Sequence, residues 1–383
     1  MKVLQLTREY PPEIYGGAGV VVGHLSRALR RRMEVEVRAW GEGERMDGEI
    51  PVSCYQAWDR LAKNDDGTLY PPALETLSIA LAMTRDPVDA DIVHAHTWYA
   101  DMGALFTKIV HQIPLVVTLH SMEPLRPWKV DQLGTGYHLS SWIEKTTVES
   151  ADRVIAVSAG MKADILEHYD VAEEKVVVIH NGIEPDVYRA TEDRSALEKF
   201  GVTSPYVLFV GRISDQKGIF DLLEASKALP SGVQLVLCAA APDTPELLER
   251  MEAATTGRDD ILWINEMVGK QDVIGLYTHA ELFACPSVYE PFGIINLEAM
   301  GCGTAVVASG VGGILEVVVD GETGILTKPS DPAGLAAAMN KVLADPDLAK
   351  AMGAAGRRRV EDLFSWESVA ARTKELYEEV VAV

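Results

Sequence analysis

Two doubly wound, Rossmann-like α/β domains are predicted by three features of this 383-residue sequence. The chain is too long for one ordinary core and suits two. Short apolar runs of strand length alternate with helix-length segments in both halves, the signature of parallel sheets. Two of those runs end in glycine-containing loops, TREYPPEIYGGAG and GRISDQKG, which gives the strand, loop and helix order of nucleotide-binding folds.

Taken in order, residues 2–7 read as a buried strand, and residues 20–32, VVVGHLSRALRRR, have the apolar spacing of a helix. Gly16, Gly17 and Gly19 between them do not form GxGxxG, so a dinucleotide fingerprint is absent. VEVRAW at 35–40 alternates as a strand, and residues 42–72 read as polar loops around one short strand. LETLSIALAMT is helical and DIVHAHTW is a strand with His94 and His96 on one face. A metal would need a third ligand, which the neighbouring sequence does not offer, so hydrogen-bonded structural histidines are expected. PLVVTLH is a strand ending in His120, and ligands of parallel sheets gather at that carboxyl end. SSWIEKTTVESA reads as a helix, RVIAVSA as a strand, and KVVVIHNGIEP as a strand ending at Asn181 and Gly182.

The polar stretch from Glu184 to Pro205 reads as the interdomain connection. The expected boundaries are 1–185, 186–364 and 365–383, the last being the amphipathic helix SWESVAARTKELYEEVVAV. The second domain supplies the strands YVLFVGR, VQLVLCAA, ILWI, LFAC, TAVVAS and GILTKP. Asp89-Ala-Asp91 imitates a metal-binding DxD but precedes its strand, the wrong end for a ligand.

Composition narrows the function. Hydrophobic content of 48% with 24% charged residues is a globular balance. A net charge of −22 argues against a general nucleic-acid binder or a surface for anionic membranes. Cys54, Cys238, Cys285 and Cys302 have no zinc spacing and read as free thiols of a reducing compartment. No stretch reaches transmembrane length, so a cytoplasmic protein is expected.

The stretch PSVYEPFGIINLE, Pro286 to Glu298, carries most of the predicted chemistry. Glu290 lies on a Pro-flanked turn, and Gly293 lets backbone approach a ligand. Gly293, Ile294 and Ile295 open a helix whose N–H groups suit a phosphate, and Glu298 is expected roughly two turns inside it. Ionised carboxylates suit sugar hydroxyls. In GRISDQKG, Arg212 and Lys217 follow a strand and suit a diphosphate, one as a planar fork and one as a compact charge. Phosphate and sugar side by side point to a nucleotide-sugar.

Several stretches together resemble the GT-B retaining glycosyltransferases of family four, the group related to glycogen synthases. They include LTREYPPEIYGGAG, HAHTWYA, TLHSMEPLRPWK, HNGIEPDVY, YVLFVGRISDQKG, QLVLCAAAPDTPE and CPSVYEPFGIINLEAMGCG, and they run through most of the chain. The resemblance implies two Rossmann-like domains facing a cleft, with the C-terminal helix crossing back to the first. It implies that Gly16 and Gly17 lie at the donor diphosphate and sugar, and that His120 contacts the transferred sugar. Arg212 and Lys217 would hold the diphosphate, Glu290 the sugar hydroxyls and Glu298 the ribose. Asn181 is expected near the sugar and Met267 near the base. The implied reaction is α-1,4-glucosyl transfer from ADP-glucose without a metal or other cofactor. Glucose-1-phosphate is the favoured acceptor and a glucan such as glycogen the alternative. A homo-oligomer is compatible with these expectations; a nucleic-acid or membrane partner is not. Two positions depart from the glucan-synthase pattern: Ile14 stands where K-x-G-G has its lysine, and Thr97 stands where HAHDW has its aspartate. Arg126 and Lys129 in HSMEPLRPWK follow His120 and are expected to bind the phosphate of an anionic acceptor, with pairing to Glu123 and Asp131 as the rival reading.

Overall fold

The computed structural model describes residues 1–58, 72–127, 129–130, 136–203, 205–240 and 242–382. It divides into two compact units, Met1–Gly182 with Trp366–Val383, and Ile183–Ser365.

The first unit is built on an eight-stranded sheet of order β3-β4-β2-β1-β5-β6-β7-β8. The strands are β1 (Lys2–Thr7), β2 (Glu34–Trp40), β3 (Glu44–Asp47), β4 (Ile50–Tyr55), β5 (Ile92–His96), β6 (Leu115–Leu119), β7 (Arg153–Ala156) and β8 (Val176–Val178). All pairings are parallel except β3 with β4. Central strands are buried on both faces, which is why β5 and β6 read as unbroken runs rather than alternating ones. The expectation of one short strand between residues 42 and 72 is corrected. Two strands, β3 and β4, form a hairpin turning at Gly48, whose φ of 60° suits glycine. The edge strand ERMD is short, charged and largely exposed, so it carries no apolar signature. The rest of that expectation, residues 59–71, lies outside the described residues.

The second unit carries a six-stranded parallel sheet of order β11-β10-β9-β12-β13-β14. Its strands are β9 (Tyr206–Arg212), β10 (Gln234–Ala240), β11 (Ile261–Ile264), β12 (Leu282–Cys285), β13 (Val306–Ser309) and β14 (Gly324–Thr327). Val207, Phe209, Leu235, Leu237 and Val307 of this sheet pack with Leu222, Leu335 and Met339 of the covering helices. The stretch read as a plain connection holds a helix, Ser195–Phe200, whose Ala196 and Leu197 are buried. Its six residues are too few for an apolar period to show.

Each sheet has a point where chain direction across it reverses. In the first it falls between β1 and β5; in the second, between β9 and β12. Loops leaving the carboxyl ends of such neighbours diverge and leave a crevice between them. Within each sheet, the residues that follow the two strands of its reversal point are therefore placed together by topology, whatever their distance in sequence.

The C-terminal helix, Trp366–Val381, belongs to the first unit. Trp366 stacks on His24 of the helix Gly17–Arg30 at 5.6 Å between centroids, and Arg372 donates to the Val178 carbonyl at 2.6 Å. A Cβ added to Gly182 would lie 2.8 Å from the Trp366 ring. Gly182→Ala should therefore overpack this contact and destabilise the fold by about 1–3 kcal/mol. Urea unfolding followed by tryptophan fluorescence checks this. An unchanged midpoint would show that the helix shifts at no cost.

Candidate active site

In the second unit the reversal point joins the loop after β9 to the loop after β12. Gly218 has φ of 64°, and a Cβ there would lie 2.0 Å from the Pro286 carbonyl oxygen, so only glycine lets the two loops meet. Val288 N–H donates to the Gln216 carbonyl at 2.9 Å and ties them further. This brings the Lys217 ammonium to the Glu290 carboxylate, to which it donates at 2.6 Å. Ser287 Oγ donates to the same carboxylate oxygen at 3.2 Å. The Glu290 backbone is pinned from a third loop, since Gly313 N–H donates to its carbonyl at 3.0 Å. Arg212 pairs with Asp243, a buried carboxylate just past β10. One predicted cation thus sits on the predicted sugar-side carboxylate, and the other is held by an acid the sequence reading did not single out.

The helix after Glu290 begins later than expected. It spans Ile294–Gly301, with Gly293 in the left-handed region at φ 93°, so Glu298 lies little more than one turn inside it rather than two. Half-buried Glu298 accepts from the Tyr277 hydroxyl at 3.1 Å and also bonds Tyr188. Burial pushes its carboxyl above the usual range, and the two phenols pull it back down. Ile294 and Ile295 are half-buried at the helix start, and Met267 is fully open to solvent at 81% exposure.

In the first unit, the loop after β1 is stapled by Glu9. Its carboxylate accepts from the N–H groups of Tyr15 at 2.9 Å and Gly16 at 2.7 Å. A Cβ on Gly19 would strike the Glu9 side chain at 2.7 Å, whereas Gly17 has open space around it. Asn181 is buried on the loop after β8.

His120 ends a buried relay. Its Nε2 lies 3.0 Å from His96 Nδ1, and His96 Nε2 lies 2.6 Å from the Gln5 carbonyl oxygen. The Gln5 amide donates to the Tyr377 hydroxyl at 3.1 Å, which reaches His94 Nδ1 at 2.5 Å, and His94 Nε2 meets Thr118 Oγ1 at 2.7 Å. The Gln5 oxygen can only accept, so His96 Nε2 carries a proton and its Nδ1 does not. His120 Nε2–H therefore donates, leaving the lone pair on His120 Nδ1. Burial pushes His120 down to about 4 and His94 down to about 3. His94 and His96 have both ring nitrogens engaged in hydrogen bonds, so they serve the relay rather than a metal. Gln5 and Tyr377 are 372 residues apart, and nothing in the sequence pattern pairs them.

The two cations after β6 are placed differently. Lys129 is buried and donates to Glu123 Oε1 at 3.2 Å, while Ser140 Oγ donates to Glu123 Oε2 at 2.7 Å. Arg126 Nη1 donates to Ser121 Oγ at 3.0 Å and stands 4.0 Å from Glu123, and its buried Nε has no partner. Glu123 thus pairs closely with Lys129 and more distantly with Arg126, whose Nε meets no acceptor among the described residues; Asp131 lies outside them. Glu144, which accepts from the Glu123 N–H at 2.7 Å and from Tyr169, is raised by burial and by the Glu123 charge.

Each unit thus carries a largely parallel sheet with charged or polar loops at its reversal point, where doubly wound folds bind their ligands. Residues 15–187 match the model of Glycosyltransferase Family 4, and residues 191–359 match that of Glycosyl transferases group 1. The alpha-maltose-1-phosphate synthase of Mycolicibacterium smegmatis is 45% identical over the whole of both chains. The glycogen synthase of Mycobacterium tuberculosis is 29% identical, covering 98% of this chain and 94% of its own. The solved structure of sucrose-phosphate synthase from Thermosynechococcus elongatus superposes with a TM-score of 0.83 at 24% identity, covering 100% of this chain and 99% of that one. The chain belongs to the GT-B glycosyltransferases of family four and is a nucleotide-sugar-dependent glycosyltransferase. Among the described residues no helix is long and apolar enough to cross a membrane.

Because His120 is held near 4, it stays neutral across the physiological range. The acid limb of kcat should therefore not fall near 6.5. A limb near that value that disappears in His120→Asn would contradict this environment.

Proposed function

We propose that the protein transfers glucose from ADP-glucose to glucose-1-phosphate, forming α-maltose-1-phosphate with retention of configuration. The observation that carries the reading is full-length 45% identity to a relative named alpha-maltose-1-phosphate synthase. The Lys217–Glu290 pair gives it a physical basis. Breaking a sugar–phosphate bond places negative charge on the departing diphosphate, and fixed cations stabilise that charge best when no reorganisation is needed. Lys217 is fixed by Glu290 and Arg212 by Asp243. We assign both to the diphosphate, helped by the backbone N–H groups from Gly293 to Ile295.

Glu290 is assigned to the hydroxyls of the transferred glucose and Glu298 to the ribose, with Met267 towards the base. Gly16, Gly17, Asn181 and His120 are assigned to the donor sugar. A double-displacement mechanism needs a carboxylate nucleophile at the anomeric carbon, and none is free for that role by sequence pattern. Same-face substitution is proposed instead, with the leaving phosphate oxygen accepting the proton of the acceptor hydroxyl. Arg126 is assigned to the acceptor phosphate, with Lys129 positioning its loop through Glu123. The reaction is placed in the cytoplasm and needs no metal. Elongation of a glucan from ADP-glucose is the second reading, supported by the 29% identical glycogen synthase. Ile14 and Thr97 stand against it, because they replace the lysine and aspartate of the glucan-synthase pattern.

Two outcomes follow. Glu290→Gln should slow transfer more than it weakens ADP binding, because the lost acceptor faces the sugar. Glu298→Gln should chiefly weaken ADP binding. Calorimetric ADP titration of both variants decides, and equal losses of affinity would contradict the division of roles. Second, the disaccharide product should carry an α-linkage by NMR and form at the same rate in EDTA. An inverted product, or loss of activity restored by a divalent cation, would overturn the mechanism.

A further inference from the structure

Arg8 has no role in the chemistry described so far, yet it occupies a telling place. It is the first residue after β1, at the reversal point of the first sheet. Its guanidinium carbon lies 4.2 Å from the centre of the Tyr99 ring and 5.3 Å from that of Trp40. Tyr99 follows β5, and Arg126 follows β6, the next strand over. Lys129 Nζ lies 5.8 Å from the same Tyr99 ring. Of three adjacent strands, the middle one thus delivers an aromatic side chain and its two neighbours deliver cations, with Arg8 and Lys129 both against the Tyr99 ring.

Each nearby acid has hydrogen-bond partners of its own. Glu9 is occupied by the N–H groups of Tyr15 and Gly16. Glu123 serves Lys129 and Ser140, and Glu144 serves the Glu123 N–H and Tyr169. Among the described residues Arg8 forms no ion pair, and Arg126 has only a serine and a carboxylate at 4.0 Å. A guanidinium lying on an aromatic face keeps its N–H donors in its own plane, pointing away from the ring. That fork is held rigid by stacking, so it binds an oxyanion in bidentate fashion at little ordering cost. A guanidinium with no ion pair among the described residues, in a chain of net charge −22, is a local exception that suits an anion.

We propose that Arg8, stacked on Tyr99, joins Arg126 in holding the phosphate of the sugar-phosphate acceptor, while Lys129 neutralises Glu123 so that this carboxylate does not compete. The ligand class is a phosphate monoester dianion. The proposal rests on the acceptor assigned above and adds the residue that sets its charge specificity.

The test uses the intact enzyme and its variants Arg8→Gln and Arg8→Lys, with melting curves to confirm folding. With ADP-glucose as donor, Arg8→Gln should raise the KM for glucose-1-phosphate about tenfold or more, the scale of one lost charge-assisted contact. Arg8→Lys should recover part of the loss, since it restores charge but not the planar fork. Inorganic phosphate should inhibit the wild type competitively against glucose-1-phosphate and inhibit Arg8→Gln more weakly. ADP affinity, measured by calorimetry, should change little. Wild-type activity with an unchanged KM in Arg8→Gln would overturn the role of Arg8 and leave the acceptor assignment standing. Equal inhibition of both proteins by inorganic phosphate, or an ADP affinity that falls as much as the KM rises, would likewise remove Arg8 from the acceptor. A wild type that neither binds nor glucosylates glucose-1-phosphate would overturn the acceptor assignment, and this proposal with it.

Discussion

The second unit of this protein is organised around one partly buried ion pair, Lys217 with Glu290. Both side chains are largely removed from water, at 16% and 9% exposure. A pair in that setting gains little net stability, but removing either partner strands the other charge. Its value is positional. It fixes an ammonium at the carboxyl ends of β9 and β12, where topology leaves a crevice. The backbone around it is correspondingly constrained. Cβ atoms at Gly218 and Gly312 would lie 2.0 Å from the Pro286 carbonyl oxygen and 2.2 Å from that of Glu290. The glycines are there so that three loops can close on one carboxylate.

The first unit uses buried polar groups in a different way. Its histidines form a relay that runs from Thr118 to His120 and passes through Tyr377 of the last helix. That helix contributes a hydrogen-bonding partner to the centre of the sheet as well as covering the helix Gly17–Arg30. Around Tyr99, Arg8 lies over the ring and Lys129 approaches it, while Glu9 accepts from backbone N–H groups and Glu123 pairs with Lys129. An acidic protein can therefore keep a site that attracts an anion, provided its local carboxylates are engaged elsewhere.

Much of the fold was legible in the sequence because buried parallel strands announce themselves as short apolar runs, and among the described residues every strand but β3 is such a run or alternates clearly. The strand β3 was not, since its residues face water and carry charge. At the site, Lys217 and Glu290 were found through their loops, but their contact spans 73 residues and depends on strand order, which no local pattern encodes. The same holds for Asp243 on Arg212 and for Gln5 with Tyr377. The position of Glu298 in its helix was overcounted: it stands little more than one turn past Ile294, and under one and a half turns even from Gly293, which caps the helix from the left-handed region. Arg8 gave no signal of its own: only its stacking on Tyr99, brought beside it by pairing of β1 with β5, sets it apart.

The most direct test of the account is a matrix of initial rates, with ADP-glucose and UDP-glucose as donors against glucose-1-phosphate, maltose and glycogen as acceptors. The account predicts that ADP-glucose with glucose-1-phosphate is turned over fastest and yields one ADP per maltose-1-phosphate. Faster turnover with glycogen or maltose, and none with glucose-1-phosphate, would contradict it.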